Sequence, residues 1–290
     1  MINPTKKTLP IFHAGSLTAA FAKMNAEFQK SHPDIEIQSQ AAGSVDAVRW
    51  VTEQKKPCGI LASADYGLIP RMMLPVYADW YIIFASDEMV ISYSDKSKYY
   101  GEINANNWYE ILQREGVTYS LQNPNGDPGG YRTLMVWQLA GMYYRIPELY
   151  DKLRNSPGCK ILPQKEQIDY SFSYRSGTVR NNTKFVTLPE TINLSSNKFG
   201  NYYAQARVEI KNEVSGNTII LGGEPILFGL TIPKNFPNQE IAESWIKLLL
   251  GETGASIMKS SGMNPLRPTI ADNNRNLPKS IRDFLNQGEI

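Results

Sequence analysis

The chain has 290 residues, a formal net charge of +2, 42% hydrophobic residues and 20% charged residues. That balance excludes a disordered chain, and without a long basic block it gives nucleic-acid binding no support. The length suffices for a large core or two domains, and the apolar runs are too short and interrupted for a transmembrane helix. The polar stretch Met1 to Lys7 lacks the apolar core of a secretion signal, which fits either an intracellular protein or an engineered start.

In chain order, Leu9-Pro10-Ile11-Phe12 reads as a strand and His13-Ala14-Gly15-Ser16 as a tight turn. Leu17, Phe21, Met24 and Phe28 then recur at helical spacing, with Ser16 at the N-cap. Ile35-Glu36-Ile37-Gln38 alternates like a strand, Ala41-Ala42-Gly43-Ser44 follows, and Val45, Val48 and Val51 have helical spacing. Ala-Gly-Ser therefore occurs twice, each time between a strand and a helix. One such turn is ordinary capping. Two of them at the carboxyl ends of parallel strands bring two helix N-termini, each with a serine hydroxyl, to one place where a small anion can bind.

Gly59 to Asp65 is a further apolar strand, whose Ser63 hydroxyl and Ala64 N–H can face the same crevice. Leu68 to Leu74 predicts a short helix, Trp80 to Ala85 and Met89 to Tyr93 strands, and Asn107 to Arg114 a helix. Asn123 to Arg132 is dense in turn residues and precedes a long helix. Asp127 in this loop has two readings, a turn-former bonding its own backbone or a carboxylate held at a strand-to-helix junction to coordinate a metal centre inside an oxyanion. Ile168 to Tyr174, Lys184 to Leu188, Tyr202 to Val214, Ile219 to Leu221 and Pro225 to Ile232 read as strands. A helix with Ile241, Trp245, Leu248 and Leu249 follows, and Ile257 and Met258 start the last turns.

Cys58 and Cys159 are the only cysteines and match no metal spacing, so two unpaired thiols are expected. Asn181-Asn182-Thr183 and Asn193-Leu194-Ser195 fit a glycosylation pattern that recurs by chance. Catalytic motifs are absent, and of His13 and His32 only His13, near Ser16, is a candidate for hydrolase chemistry. Strands alternating with helices give an α/β class with largely parallel sheets. The first domain is expected from residues 1–91 plus 225–290, and an inserted domain from 92–224.

Several stretches carry a resemblance. Phe12 to Leu17, Ala42-Gly43-Ser44, Ile60 to Tyr66, Tyr77 to Tyr81, Asn107 to Leu112, Asn123-Pro124 with Asp127-Pro128 and Gly130-Tyr131-Arg132, and Leu248 to Gly254 resemble archaeal-type periplasmic molybdate/tungstate-binding proteins. The resemblance implies a type II periplasmic-binding fold, two α/β lobes joined by a hinge with an oxyanion in the cleft. It implies a monomer, periplasmic or extracellular, that serves a membrane permease of the ATP-driven ABC class. No cofactor is implied beyond the carried tungstate or molybdate. Sulfate, phosphate or an organic acid is an alternative cargo, and an enzyme or sensor on the same fold an alternative role.

Carried over residue by residue, the ligand-binding positions are Ser16, Ser44, Ser63, Ala64, Asp127, Gly130 and Tyr174, with Asp127 on the metal of the oxyanion. The family's second carboxylate lies in Leu-Pro-x-Glu-Ile-Asn-Leu. Here the segment is Leu188-Pro189-Glu190-Thr191-Ile192-Asn193-Leu194, so Thr191 stands at the Glu position and Glu190 one place earlier. In an extended strand that offset points Glu190 to the opposite face. Tyr174-Arg175-Ser176-Gly177-Thr178 stands where the family tends to have Tyr-x-Ser-Val-Ala.

Overall fold

A computed structural model describes residues 7–163, 167–211, 217–271 and 275–287. The chain divides by its internal contacts into two compact units: Met1–Ser86 with Leu227–Ile290, and Asp87–Ile226.

The first unit opens with β1 (Lys7–Ala14), a 3-10 turn (Gly15–Leu17) and α1 (Thr18–Ser31). β2 (Ile35–Ala42), α2 (Ser44–Thr52), β3 (Ile60–Ser63), α3 (Leu68–Met72) and β4 (Ile82–Ser86) follow. The helices form where the apolar spacing predicts. Phe21, Met24 and Phe28 of α1, and Val45, Val48 and Val51 of α2, are the buried faces.

The second unit runs β5 (Met89–Tyr93), α4 (Trp108–Ile111), β6 (Tyr119–Leu121), α5 (Pro128–Tyr143), α6 (Leu149–Asn155), β7 (Cys159–Ile161) and β8 (Tyr170–Tyr174). It continues through α7 (Arg175–Arg180), β9 (Lys184–Thr187), α8 (Gly200–Tyr203), β10 (Arg207–Lys211) and β11 (Thr218–Gly222). α5 is apolar around most of its circumference because it is buried along nearly its whole length. Trp137 of α5 and Trp108 meet Phe172 of β8 edge-on, with ring centroids 5.5 and 5.7 Å apart, and these rings make the centre of the unit's core.

The chain returns to the first unit with β12 (Leu227–Thr231), α9 (Gln239–Leu250), α10 (Glu252–Ser260), β13 (Asn264–Ala271) and α11 (Lys279–Gln287). Its six-stranded sheet has the order β13-β4-β12-β3-β1-β2, and the second unit has a five-stranded sheet β7-β6-β8-β5-β9 and the hairpin β10-β11.

Four expectations are corrected. The sheets are mixed: β1 pairs in parallel with β2 and β3, but β12 runs antiparallel to β3 and β4, and β5 antiparallel to β8 and β9. A chain that leaves one unit along β4 and re-enters along the neighbouring β12 must reverse direction. Ile91 is not a boundary, since it sits in mid-strand of the second unit's sheet, opposite Phe172 and Val186. Tyr202 and Tyr203 belong to α8, with a strand only from Arg207, and Val214 lies outside the described residues. β13 and α11 have no counterpart in the sequence reading.

In the first unit the C-terminal segment locks onto the N-terminal one through Trp245. Its fully buried ring lies 4.8 Å from that of Phe21, and its Nε1–H donates to Asn25 Oδ1 at 2.9 Å. Trp245→Ala removes the ring and leaves the Asn25 acceptor unmatched, so it should cost about 3–5 kcal/mol. Urea unfolding of the variant against the parent measures this. A loss below about 1 kcal/mol would show that the ring is not the clamp.

Candidate functional site

In the first unit the site is set by strand register. β1 and β2 pair with Ala14 opposite Ala42, so Ala14-Gly15-Ser16 and Ala42-Gly43-Ser44 leave the sheet side by side. β3 lies on the other flank of β1 with Ala62 opposite His13, which brings Ser63 and Ala64 to the same sheet end. The two turns are not equivalent. Ala14 caps the first (φ -57, ψ 143) and Gly43 the second (φ -59, ψ 141). The cap therefore falls one residue earlier in the first motif. Ser16 lies inside the 3-10 turn rather than at the expected N-cap, and Ser44 is the first residue of α2.

The hydroxyls differ accordingly. Ser16 Oγ is buried and has no hydrogen-bond partner. Ser44 is buried, and its Oγ accepts from Ala64 N–H at 2.9 Å. Accepting that bond polarises the hydroxyl and leaves its own proton to donate. The Ala64 N–H, expected to face the crevice itself, acts through Ser44. Ser63 is closed on its own turn: its Oγ donates to Asp65 O at 2.6 Å and accepts from Asp65 N–H at 3.0 Å. Asp65 is buried and its Oδ1 takes Gly67 N–H at 2.9 Å. Ser63 is therefore a turn-former here.

His13 is buried against Phe21, ring centroids 5.1 Å apart, with Nδ1 2.9 Å from Ala14 O. Burial pushes its pKa below the ordinary value, against the pull of that carbonyl. No hydrogen bond joins it to Ser16, whose Oγ has no partner. The hydrolase pairing has no geometric basis.

In the second unit Asp127 is the N-cap of α5, with Pro128 at the first helical position, and its Oδ1 accepts from Gly129 N–H at 2.7 Å. The turn before it closes through Gly126 N–H and Asp127 N–H on Asn123 O, at 3.1 and 2.9 Å. So Asp127 does bond its own backbone, while half-exposed at the N-terminus of a sixteen-residue helix. Gly130 has a packing reason. A Cβ there would clash with Gln122 O and come within 2.6 Å of Pro124 N, so only glycine lets the helix start so close to its own loop.

Tyr174 ends β8 opposite Met89 and is buried. The chain beyond it is bound to the start of β5: Arg175 N–H donates to Glu88 O at 3.0 Å, and Arg175 Nε lies 3.5 Å from Glu88 Oε1. Glu88 Oε2 also accepts from Asn193 Nδ2 at 2.9 Å. Burial raises the pKa of Glu88, with Arg175 opposing the rise and Glu190 adding to it. The Leu188–Leu194 segment corrects the sequence reading. β9 ends at Thr187, and Ile192 N–H and Asn193 N–H both donate to Pro189 O, at 2.9 and 3.0 Å. That is a turn, not a strand, because Pro189 starts it and Asn193 Nδ2 ties it to Leu188 O at 3.2 Å. The opposite-face argument for exposed Glu190 and half-buried Thr191 therefore lapses. Among the described residues no three His, Cys, Asp or Glu side chains gather as a metal site. Sequence reasoning also missed Asp87, a buried carboxyl whose only signal was a polar pair between two apolar strands.

The unequal serines make a stability prediction without any ligand. Ser16→Ala removes a buried hydroxyl that satisfies nothing and should leave stability unchanged or raise it by about 1 kcal/mol. Ser44→Ala strips Ala64 N–H of its acceptor and should cost about 1–3 kcal/mol. Thermal melts of the two variants check the opposite signs, and equal losses would contradict the hydrogen-bond assignment.

Comparison with known proteins agrees with this architecture. The bacterial extracellular solute-binding protein family model matches residues 9–264. A solute-binding protein of Petrotoga mobilis is 40% identical over 288 residues, covering 96% of this chain and 90% of its own. The molybdate/tungstate-binding protein WtpA of Pyrococcus abyssi is 37% identical, covering 96% of this chain and 89% of its own. Among solved structures, the periplasmic molybdate-binding protein of Azotobacter vinelandii superposes with a TM-score of 0.64 at 17% identity, over 88% of this chain and 98% of its own. The fold is the type II periplasmic-binding fold, and the chain belongs to the bacterial extracellular solute-binding protein family.

Proposed function

We propose that this protein captures a tetrahedral oxyanion, most simply tungstate or molybdate, and delivers it to an ATP-driven membrane importer. The observation that carries the reading is the register-locked pair of turns, in which Ser16 Oγ has no partner and Ser44 keeps a proton to give. A dehydrated dianion needs several aimed donors and no counter-charge. Hydroxyls and helix N-terminal N–H groups supply that and select by hydrogen-bond count and size. The WtpA relative supports the choice of cargo. The protein works outside the cytoplasm as a monomer and performs no chemistry on its cargo. Asp127, Gly130 and Tyr174 of the second unit are the further ligand residues of this reading.

Sulfate is the second reading, favoured by Thr191. Without a second carboxylate for the metal, the anion stays four-coordinate, and the Asp127 carboxyl, offset only in part by Gly129 N–H and the α5 N-terminus, meets it as a like charge. Like charges a few ångströms apart in a poorly solvated cleft repel by several kcal/mol.

Calorimetric titration with tungstate and with sulfate tests the reading. Ser16→Ala and Ser44→Ala should each weaken tungstate binding by about 1–3 kcal/mol, roughly 5- to 150-fold. Asp127→Asn keeps the N-cap and should tighten binding, and Thr191→Glu should tighten tungstate selectively. Parent-like affinity in both serine variants sinks the twin-turn site. Loss of binding in Asp127→Asn would mean that Asp127 ligates the metal without a second carboxylate.

A further inference from the structure

Asp87 is the first residue of the second unit and is 3% exposed. Its N–H donates to Ile226 O at 3.2 Å, joining the first and last residues of the unit. Its Oδ1 accepts from Glu88 N–H at 2.8 Å and from Ser176 N–H at 3.3 Å. Its Oδ2 is buried with no hydrogen-bond partner. The Ser176 hydroxyl lies beside the carboxyl and eases its charge in part, but burial outweighs that help, and a poorly solvated buried carboxylate is costly. Ser176 stands two residues beyond Tyr174, so the carboxyl grips the turn that carries a proposed ligand residue.

We propose that Asp87 is a proton-controlled positioning residue for the Tyr174–Ser176 turn, its neutral acid favouring oxyanion capture and its carboxylate opposing it. The proposal rests on the oxyanion reading above.

The surrounding charges give the direction. Glu88 is adjacent, and Glu190 acts on Glu88 from the Leu188–Leu194 turn. Arg175 is the cation facing this group, and it lies against Glu88. Arg175 is engaged by Glu88, so its charge is already opposed before Asp87 ionises. A further buried charge there contacts Ser176, two residues beyond Tyr174, and repels an anion held at that turn. Burial pushes the Asp87 carboxyl up to about 7, against hydrogen bonds from Ser176 and Glu88 and with the Glu88 charge adding to the rise. Proton occupancy therefore changes around pH 7.

Linkage fixes the signs. An acid whose folded pKa lies above its unfolded value holds its proton more tightly when folded. Its contribution to stability is greatest below the unfolded value, near 3.8, and is lost as pH rises to about 7. If capture requires the neutral acid, affinity falls above that range, by at most about tenfold per pH unit for one proton.

The experiment is tungstate calorimetry from about pH 6 to about pH 8.5 on the parent and Asp87→Asn, with urea midpoints of both proteins over about pH 4 to 8 without ligand. Asn keeps the Oδ1 acceptor and mimics the neutral acid. The parent should lose affinity with rising pH while Asp87→Asn retains it, and only the parent should lose urea stability between about pH 4 and 7. Parallel affinity profiles in the two proteins overturn the proposal, whatever the midpoints do. If tungstate binds neither protein at any pH while the midpoints diverge as expected, the oxyanion reading fails and Asp87 is left as a proton-controlled brace. Midpoints that coincide at every pH refute the brace itself.

Discussion

The pairing of Ala14 with Ala42 is the constraint on which the site depends. A parallel ladder slipped by one residue would turn every β2 side chain to the other face and separate the two turns. In register, two chemically similar exits from the sheet lie next to each other, and β3 adds the N–H that organises Ser44. The serine hydroxyls sit on short side chains whose positions are fixed by the backbone of the two turns. That is the form of preorganisation an anion site requires, because little must be ordered when the ligand arrives.

The two units show different electrostatics. The first presents neutral donors around a neutral, buried His13. The second places carboxyl groups near its proposed ligand residues: Asp127 on the α5 N-terminus, and Glu88 and Asp87 behind the Tyr174 turn. Each carboxyl is partly offset by backbone N–H groups, a helix end or Arg175. On the proposed reading, the carboxyl groups of the second unit and the residue at position 191 are where an oxyanion cargo would meet negative charge.

Local patterns made much of this legible. The Ala-Gly-Ser repeats, the helical spacing in α1 and α2 and the Asn-Pro turn before α5 are each decided within about a dozen residues, so sequence and structure agree there. What escaped depends on partners distant in sequence. The antiparallel return of β12 follows from the chain's path between units, and the burial of Asp87 from Ile226 and Ser176, both far along the chain. Ser63 looked like a donor because its residue type permits it, but its proton goes to Asp65 O, a choice between equals that no pattern shows. The strand closes at Pro189 as the sequence reading has it, but the opposite-face argument carried it on to Glu190 and Thr191, where Pro189 O and the Asn193 side chain hold a turn instead.

Native mass spectrometry of the whole chain titrated with tungstate, beside the Ser16→Ala/Ser44→Ala double variant, tests the central claim most directly. The register-locked pair of turns predicts one tungstate per parent chain, saturating at a stoichiometry of one, and none retained by the double variant. Equal retention by both proteins, or unsaturable multiple adducts on the parent, would contradict it.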